Sequence, residues 1–220
     1  MAAAALGGLR PGEVAPPAVQ PPCASDEGAG RIGAGRVIAR PYVIPGGGSN
    51  PIGALGYVGC GLEIMQQAYE LGLNVDAVFH GTGSAGTQAG LVAAFEGAQS
   101  GIPVEGISVR APEAPQVANV LKLANEAAAL LGLSTRIEAP AVRVDDRHVG
   151  AGYGQPTPGM IEAVTLLARK EGILLDPVYS GKGMAGLIAQ VREGRYRPGQ
   201  SIVFVHTGGS AALFGYRSVF

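Results

Sequence analysis

Apolar positions along this chain alternate between short continuous runs and stripes spaced by three or four residues. Tyr42-Val43-Ile44 is a short run stopped by Pro45 and the Gly46-Gly47-Gly48 turn. Leu55, Val58, Leu62, Met65 and Tyr69 then recur every three or four positions, the period of one helical face. Ser49 or Asn50 can cap that helix, Pro51 stands at or near its first position, and it ends around Gly72. A strand is predicted at Val75 to His80, a glycine-rich loop at Gly81 to Gly86, and a helix at Gln88 to Ala98. Next come a strand at Val104 to Val109, a long helix at Ala114 to Leu131 and a weaker strand near Val142. A loop carrying Tyr153, Gly154, Gln155 and Pro156 leads to helices at Met160 to Lys170 and Met184 to Arg192. The last strand, Ile202 to His206, runs into Thr207-Gly208-Gly209 and a short helical turn. This alternation specifies the α/β class, with a mostly parallel sheet and helices on both faces.

The first 39 residues read differently. Ala, Gly and Pro supply 22 of them, and no period of 3.6 or 2 is sustained. Such a segment buries too little apolar surface to offset its ordering entropy, so residues 1–39 are expected to be a disordered low-complexity tail. Residues 40–220 are expected to form the folded α/β domain.

Composition narrows the function. Hydrophobic residues make up 47% and charged residues 15%, enough for a sizeable core. Sixteen basic against 17 acidic residues leave a net charge of -1, so a phosphate-backbone partner such as nucleic acid is not expected. No apolar run reaches membrane-spanning length, and no basic stretch precedes Ala2 to Leu6 as a secretory signal would require. Two cysteines, Cys23 and Cys60, cannot form a disulfide framework, and a reducing cytoplasm is expected.

The 36 glycines carry the candidate chemistry. Gly46-Gly47-Gly48, Gly81 to Gly86 and Gly208-Gly209 are loops of the kind that, at the carboxyl ends of parallel strands, bind ligands. In the middle loop, Gly81-Thr82-Gly83-Ser84-Ala85-Gly86-Thr87, glycine lets backbone N–H groups approach an anion, and three hydroxyls can add donors. Either a phosphate group sits there, or the loop is a tight strand-to-helix turn without a ligand. The loop also matches the dinucleotide pattern G-x-G-x-x-G; Val109-Arg110-Ala111 stands where a ribose-binding carboxylate should, although an Arg there suits a phosphorylated ribose, which keeps a dinucleotide as an alternative. No Walker lysine follows any glycine loop. His80 and His206 each end an apolar strand before a glycine loop and are either structural, the reading preferred, or site-lining, and Asp145, Asp146 and His148 are read as a solvated polar loop. No metal site is expected.

Four segments carry a resemblance. Arg40 to Asn50 (Arg-Pro-Tyr-Val-Ile-Pro-Gly-Gly-Gly-Ser-Asn), Gly83 to Gly90 (Gly-Ser-Ala-Gly-Thr-Gln-Ala-Gly), Leu175 to Lys182 (Leu-Asp-Pro-Val-Tyr-Ser-Gly-Lys) and His206 to Ser210 (His-Thr-Gly-Gly-Ser) occur in order. They resemble the D-cysteine desulfhydrases of the 1-aminocyclopropane-1-carboxylate deaminase/D-cysteine desulfhydrase family. The resemblance implies a tryptophan-synthase β-subunit-like fold (fold type II), the cofactor pyridoxal 5'-phosphate, a small amino-acid substrate and, for the complete family enzyme, a homodimer. It implies that Gly83, Ser84, Ala85, Gly86 and Thr87 hold the cofactor phosphate, with the following helix directing its positive end there, and that Thr207 and Ser180 lie near the pyridine ring. Ser180 stands where the deaminase branch carries Glu, which sides this chain with the desulfhydrases. Tyr179 and Tyr153 would flank the substrate as catalytic phenols, a lowered pKa fitting either for base or leaving-group acid. The implied reaction is β-elimination from D-cysteine to pyruvate, ammonia and sulfide, with L-cysteate sulfo-lyase as the near alternative.

One family feature is not found. The Schiff-base lysine belongs to an Asn-Lys motif in the family's N-terminal region, and the only lysines here are Lys122, Lys170 and Lys182. The resemblance therefore covers the C-terminal part of the catalytic fold, the N-terminal portion being expected to be missing. A truncated or mis-started gene product, or a non-catalytic remnant that binds a phosphate ligand or a partner, would each have this appearance.

Overall fold

The computed structural model describes residues 43–134 and 136–220, so the expectation for residues 1–39 lies outside the described residues. Every element below belongs to the unit Pro45–Phe220. Helix α1 (Pro51–Glu70) starts as its sequence dictates: Asn50 is extended, its side-chain oxygen accepts the Gly53 N–H at 2.7 Å, and Pro51 opens the helix. Its buried face follows the predicted stripe only in part: Val58 is buried and Leu55 and Met65 pack against the core. Ala54, Val58, Gly61 and Ala68 are buried, whereas Leu62 and Tyr69 are 50% and 84% exposed. Close helix packing is the reason. A methyl group at Gly61 would lie 2.6 Å from the Ala94 methyl of helix α2 (Gly86–Gly97), so only small residues fit between the two helices.

Four strands, β1 (Val75–Thr82), β2 (Val104–Ser108), β3 (Arg143–Asp145) and β4 (Ser201–Phe204), form one fully parallel sheet in the order β3-β2-β1-β4. Val78 faces Val104 and His80 faces Gly106 across one ladder, while Phe79 faces Phe204 across the other. Val78 and Val104 pack on Leu91 and Phe95 of α2 and on Val120 and Leu123 of α3 (Glu113–Leu130). Ala77, Phe79 and Ile107 point to the opposite side, against Leu187 of α5 (Ser180–Arg192) and Tyr196. Helix α4 (Pro158–Glu171) adds Met160 and Val164, which cluster with Leu175. Helices thus cover both faces, and β1, paired on both edges, is apolar on both sides as a central parallel strand must be.

Two boundaries differ from the sequence pattern near the carboxyl ends of the strands. Helix α5 begins at Ser180 rather than Met184, because Gly181 and Gly183 act as close-packing residues instead of breakers; a Cβ at Gly183 would sit 2.9 Å from the Gly81 nitrogen. Strand β4 ends at Phe204, so His206 lies in the following loop. There it accepts the Gly208 N–H on Nδ1 at 3.0 Å and donates from Nε2 to the Leu174 carbonyl at 3.0 Å, which anchors the loop. Among the described residues, no helix is long and apolar enough to cross a membrane.

Candidate active site

A hollow of about 280 Å³ lies at the carboxyl end of β1. The β1–α2 connection lines it with Gly81, Thr82, Gly83, Ser84, Ala85 and Thr87. Gly47, Tyr179 and Thr207 arrive from the turn before α1, the start of α5 and the loop after β4. Two of the three glycine loops therefore line it directly, and the third only through Thr207, the residue before Gly208. Ala85 has φ 77°, a left-handed conformation that is strained for a residue with a side chain, and from it α2 starts directly at the hollow. Gly86, at the first position of α2, donates its N–H to Ser49 Oγ at 3.2 Å, tying the entry of α1 to this helix end.

Glycine is required where Tyr179 leans over the loop. A Cβ at Gly81 would lie 2.8 Å from the Tyr179 carbonyl oxygen, and one at Gly83 would lie 2.8 Å from its hydroxyl. Among the described residues no carboxylate lines the hollow, while Ser84, Thr87, Tyr179 and Thr207 bring hydroxyl donors and α2 brings the positive end of its dipole. An anion is the ligand these walls suit.

Tyr179 is half-buried and meets the ring of Tyr153 edge to face, centroids 5.9 Å apart at 78°. Burial, then a hydrogen bond with and the charge of Tyr153, push the Tyr179 phenol up to about 12, outweighing the Arg110 guanidinium that pulls it down. The sequence suggested a lowered phenol; the fold makes Tyr179 a protonated donor at neutral pH. Tyr153, 55% exposed, stands on the outer side of Tyr179 and does not line the hollow.

Asp176 fixes this corner and was not singled out from the sequence. One of its oxygens accepts the Val178 and Tyr179 N–H groups, both at 2.8 Å. The other accepts the Ser180 N–H at 2.7 Å and the Ser180 hydroxyl at 2.6 Å. Ser180 Oγ also accepts the Asp176 N–H at 2.7 Å. The Ser180 side chain is thus committed to this buried turn and does not line the hollow. An Asp followed by Pro, whose missing N–H makes no demand, just ahead of a helix was the available signal.

The histidine and aspartate assignments follow from contacts. His80 is buried, bonds through Nδ1 to the Gly81 carbonyl at 2.9 Å, and burial lowers its pKa to about 4, so it is neutral and structural. Asp145, Asp146 and His148 are not a solvated loop: all three are half-buried, Asp145 ends β3 and pairs with Arg147 at 2.7 Å, and Asp146 accepts the Glu113 N–H at 2.8 Å.

Comparison with known proteins identifies the fold's chemistry. A family model described as "Pyridoxal-phosphate dependent enzyme" matches residues 24–208. The chain belongs to this family. Its sheet with helices on both faces is the type II fold of pyridoxal-phosphate enzymes. An ACC deaminase homologue aligns with a TM-score of 0.73 and 35% identity, over 82% of this chain and 53% of its own. The chain therefore spans about half the length of that relative. A T.th. threonine deaminase is more distant, at 22% identity and a TM-score of 0.46 over 73% of this chain and 59% of its own.

The family binds pyridoxal 5'-phosphate, and the hollow fits the phosphate end of that cofactor. Its carboxylate-free lining, its hydroxyls and the start of α2 are what a phosphate dianion needs. The lysines do not fit the other end. Lys122 pairs with Glu126 on α3, Lys170 lies exposed on α4, and Lys182 is buried with its ammonium bonded to the Val149 and Gly152 carbonyls. Incubation with one equivalent of pyridoxal phosphate followed by borohydride reduction should therefore leave no pyridoxyl adduct on Lys182, and on the exposed Lys122 and Lys170 only the labelling that any surface amine shows. Mass-spectrometric detection of the adduct on Lys182 would overturn this.

Proposed function

We propose that this chain supplies the phosphate cradle and the proton-donating wall of a pyridoxal-phosphate lyase that eliminates the β-substituent of a cysteine-like amino acid. The observation that carries the reading is Tyr179, a protonated phenol beside the glycine cradle and in ring contact with Tyr153. Gly83, Ser84, Ala85, Gly86 and Thr87 would hold the phosphate through backbone N–H groups and hydroxyls, and Thr207 would lie toward the ring. When bound, the cofactor acts as an electron sink for carbanion character at the substrate Cα. Tyr179 holds the proton that a departing sulfur takes up, and Tyr153 orients that hydroxyl from the outside. Ser180 and Asp176 keep Tyr179 at the rim of the cradle.

A β-elimination is proposed because, by the resemblance, Ser180 stands where the deaminase branch carries Glu; D-cysteine, giving pyruvate, ammonia and sulfide, is the leading substrate within it. L-cysteate, releasing sulfite, is the second reading, and a non-catalytic phosphate-ligand protein the third, favoured by the three lysines that do not reach the hollow. The family's homodimer and a cytoplasmic location belong to the same proposal. The test is product analysis with each substrate, in a reaction supplied with the lysine-bearing segment of the family fold. Sulfide from D-cysteine supports the reading. Sulfite from L-cysteate moves it to the second, and cofactor binding with neither product moves it to the third.

A further inference from the structure

We propose that Lys182 and Tyr216 form a two-point clamp that holds the 149–154 loop, and with it Tyr153, against Tyr179. Both are positioning residues, and the proposal rests on the reading of the two tyrosines as the substrate side of the site.

Lys182 lies in the first turn of α5, fully buried, and its ammonium crosses to the Val149 carbonyl at 2.7 Å and the Gly152 carbonyl at 3.0 Å. Tyr216, in the 3-10 turn Ser210–Tyr216, donates its hydroxyl to the Gly154 carbonyl at 2.7 Å. The anchored carbonyls of Gly152 and Gly154 are the immediate neighbours of Tyr153. Left to itself this segment would be a poor support. Gly150, Gly152 and Gly154 give it large conformational freedom, and Tyr153 is more exposed than buried.

The chemistry of the first anchor argues for position rather than packing. An apolar side chain of similar length would fill the space without carrying a cation out of water. Burial indeed lowers the Lys182 pKa from its ordinary value. What an ammonium adds is two directed, charge-assisted donors aimed at one loop.

Hydrogen exchange on the full chain tests the clamp without cofactor or turnover. Lys182→Met keeps the stem and removes the donors; Tyr216→Phe removes the second anchor without touching a buried charge. Each variant should raise exchange across residues 149–155 by about tenfold or more while β1 and α2 stay protected. Wild-type exchange in that segment in both variants overturns the clamp. If Lys182→Met loses protection throughout β1 and α2, Lys182 merely holds the fold, and Tyr216→Phe decides: loop-confined exchange upholds the clamp at that anchor, and unchanged exchange overturns it. A released loop together with undiminished sulfide formation would leave the clamp standing and overturn the substrate-side reading of Tyr153.

Discussion

Asp176→Asn is expected to lower the melting temperature of the chain by on the order of 10 °C, although it changes one buried oxygen to nitrogen. The carboxylate accepts four hydrogen bonds, two on each oxygen. An amide offers one acceptor oxygen, so whichever way it is turned its NH₂ faces a pair of donors. With the amide toward one side, the Val178 and Tyr179 N–H groups lose their acceptor; with it toward the other, the Ser180 N–H does, and the Ser180 hydroxyl must turn to accept instead of donate. Bonds to a charged acceptor contribute about 1.5–3 kcal/mol each, so losing one or two of them amounts to roughly 1.5–6 kcal/mol. Domains of this kind have only about 5–15 kcal/mol in hand. The segment that fails first is the one presenting Tyr179. Differential scanning calorimetry checks the result, and a melting temperature within about 2 °C of wild type would show that the turn does not depend on the carboxylate.

Tyr179→Phe should have the opposite profile, intact folding with lost chemistry. The ring keeps its edge contact with Tyr153, and no backbone bond involves the hydroxyl. What disappears is the proton at the rim of the cradle. Removing a general acid lowers turnover by about 10²–10⁴-fold. The loss should fall on kcat rather than KM, measured as sulfide release from D-cysteine with the lysine-bearing segment supplied. The pH dependence follows from the same environment. Burial raises the phenol to about 12, so the acid form is present throughout the neutral range and is lost only as pH climbs toward that value. An alkaline limb near neutrality would have to come from another group. Turnover of the Phe variant within about threefold of wild type would remove Tyr179 from the chemistry.

The strands and the middle helices were legible because their signals are local. Val75 to His80 and Val104 to Val109 are apolar runs bounded by Gly or Pro, and both form strands with ends shifted by one or two residues. Gly83, Ser84, Ala85, Thr87, Tyr179 and Thr207, all singled out from the sequence, line the hollow, whereas Gly86, Tyr153 and Ser180 do not. What sequence could not give was set by neighbours distant in the chain. Leu62 and Tyr69 have the spacing of a buried stripe, but α2 lies against Gly61 and Ala54 instead. Gly181 and Gly183 read as a loop because their packing partners are Asp176, Met160 and the β1 end. The direction of the Tyr179 shift depends on burial and on Tyr153, which no motif encodes.

The pairing of β1 with β4 has a kinetic meaning. The Ser201 N–H bonds to Asp76 across 125 positions, and Thr207 reaches the hollow only because β4 docks there. Closing so long a segment is entropically unfavourable until the ladder forms, so this strand is expected to join late in folding. The cradle would then be complete only after the last step. Cofactor affinity reports on the fully assembled sheet rather than on the glycine loop alone, and any ligand held there draws the chain toward its finished state.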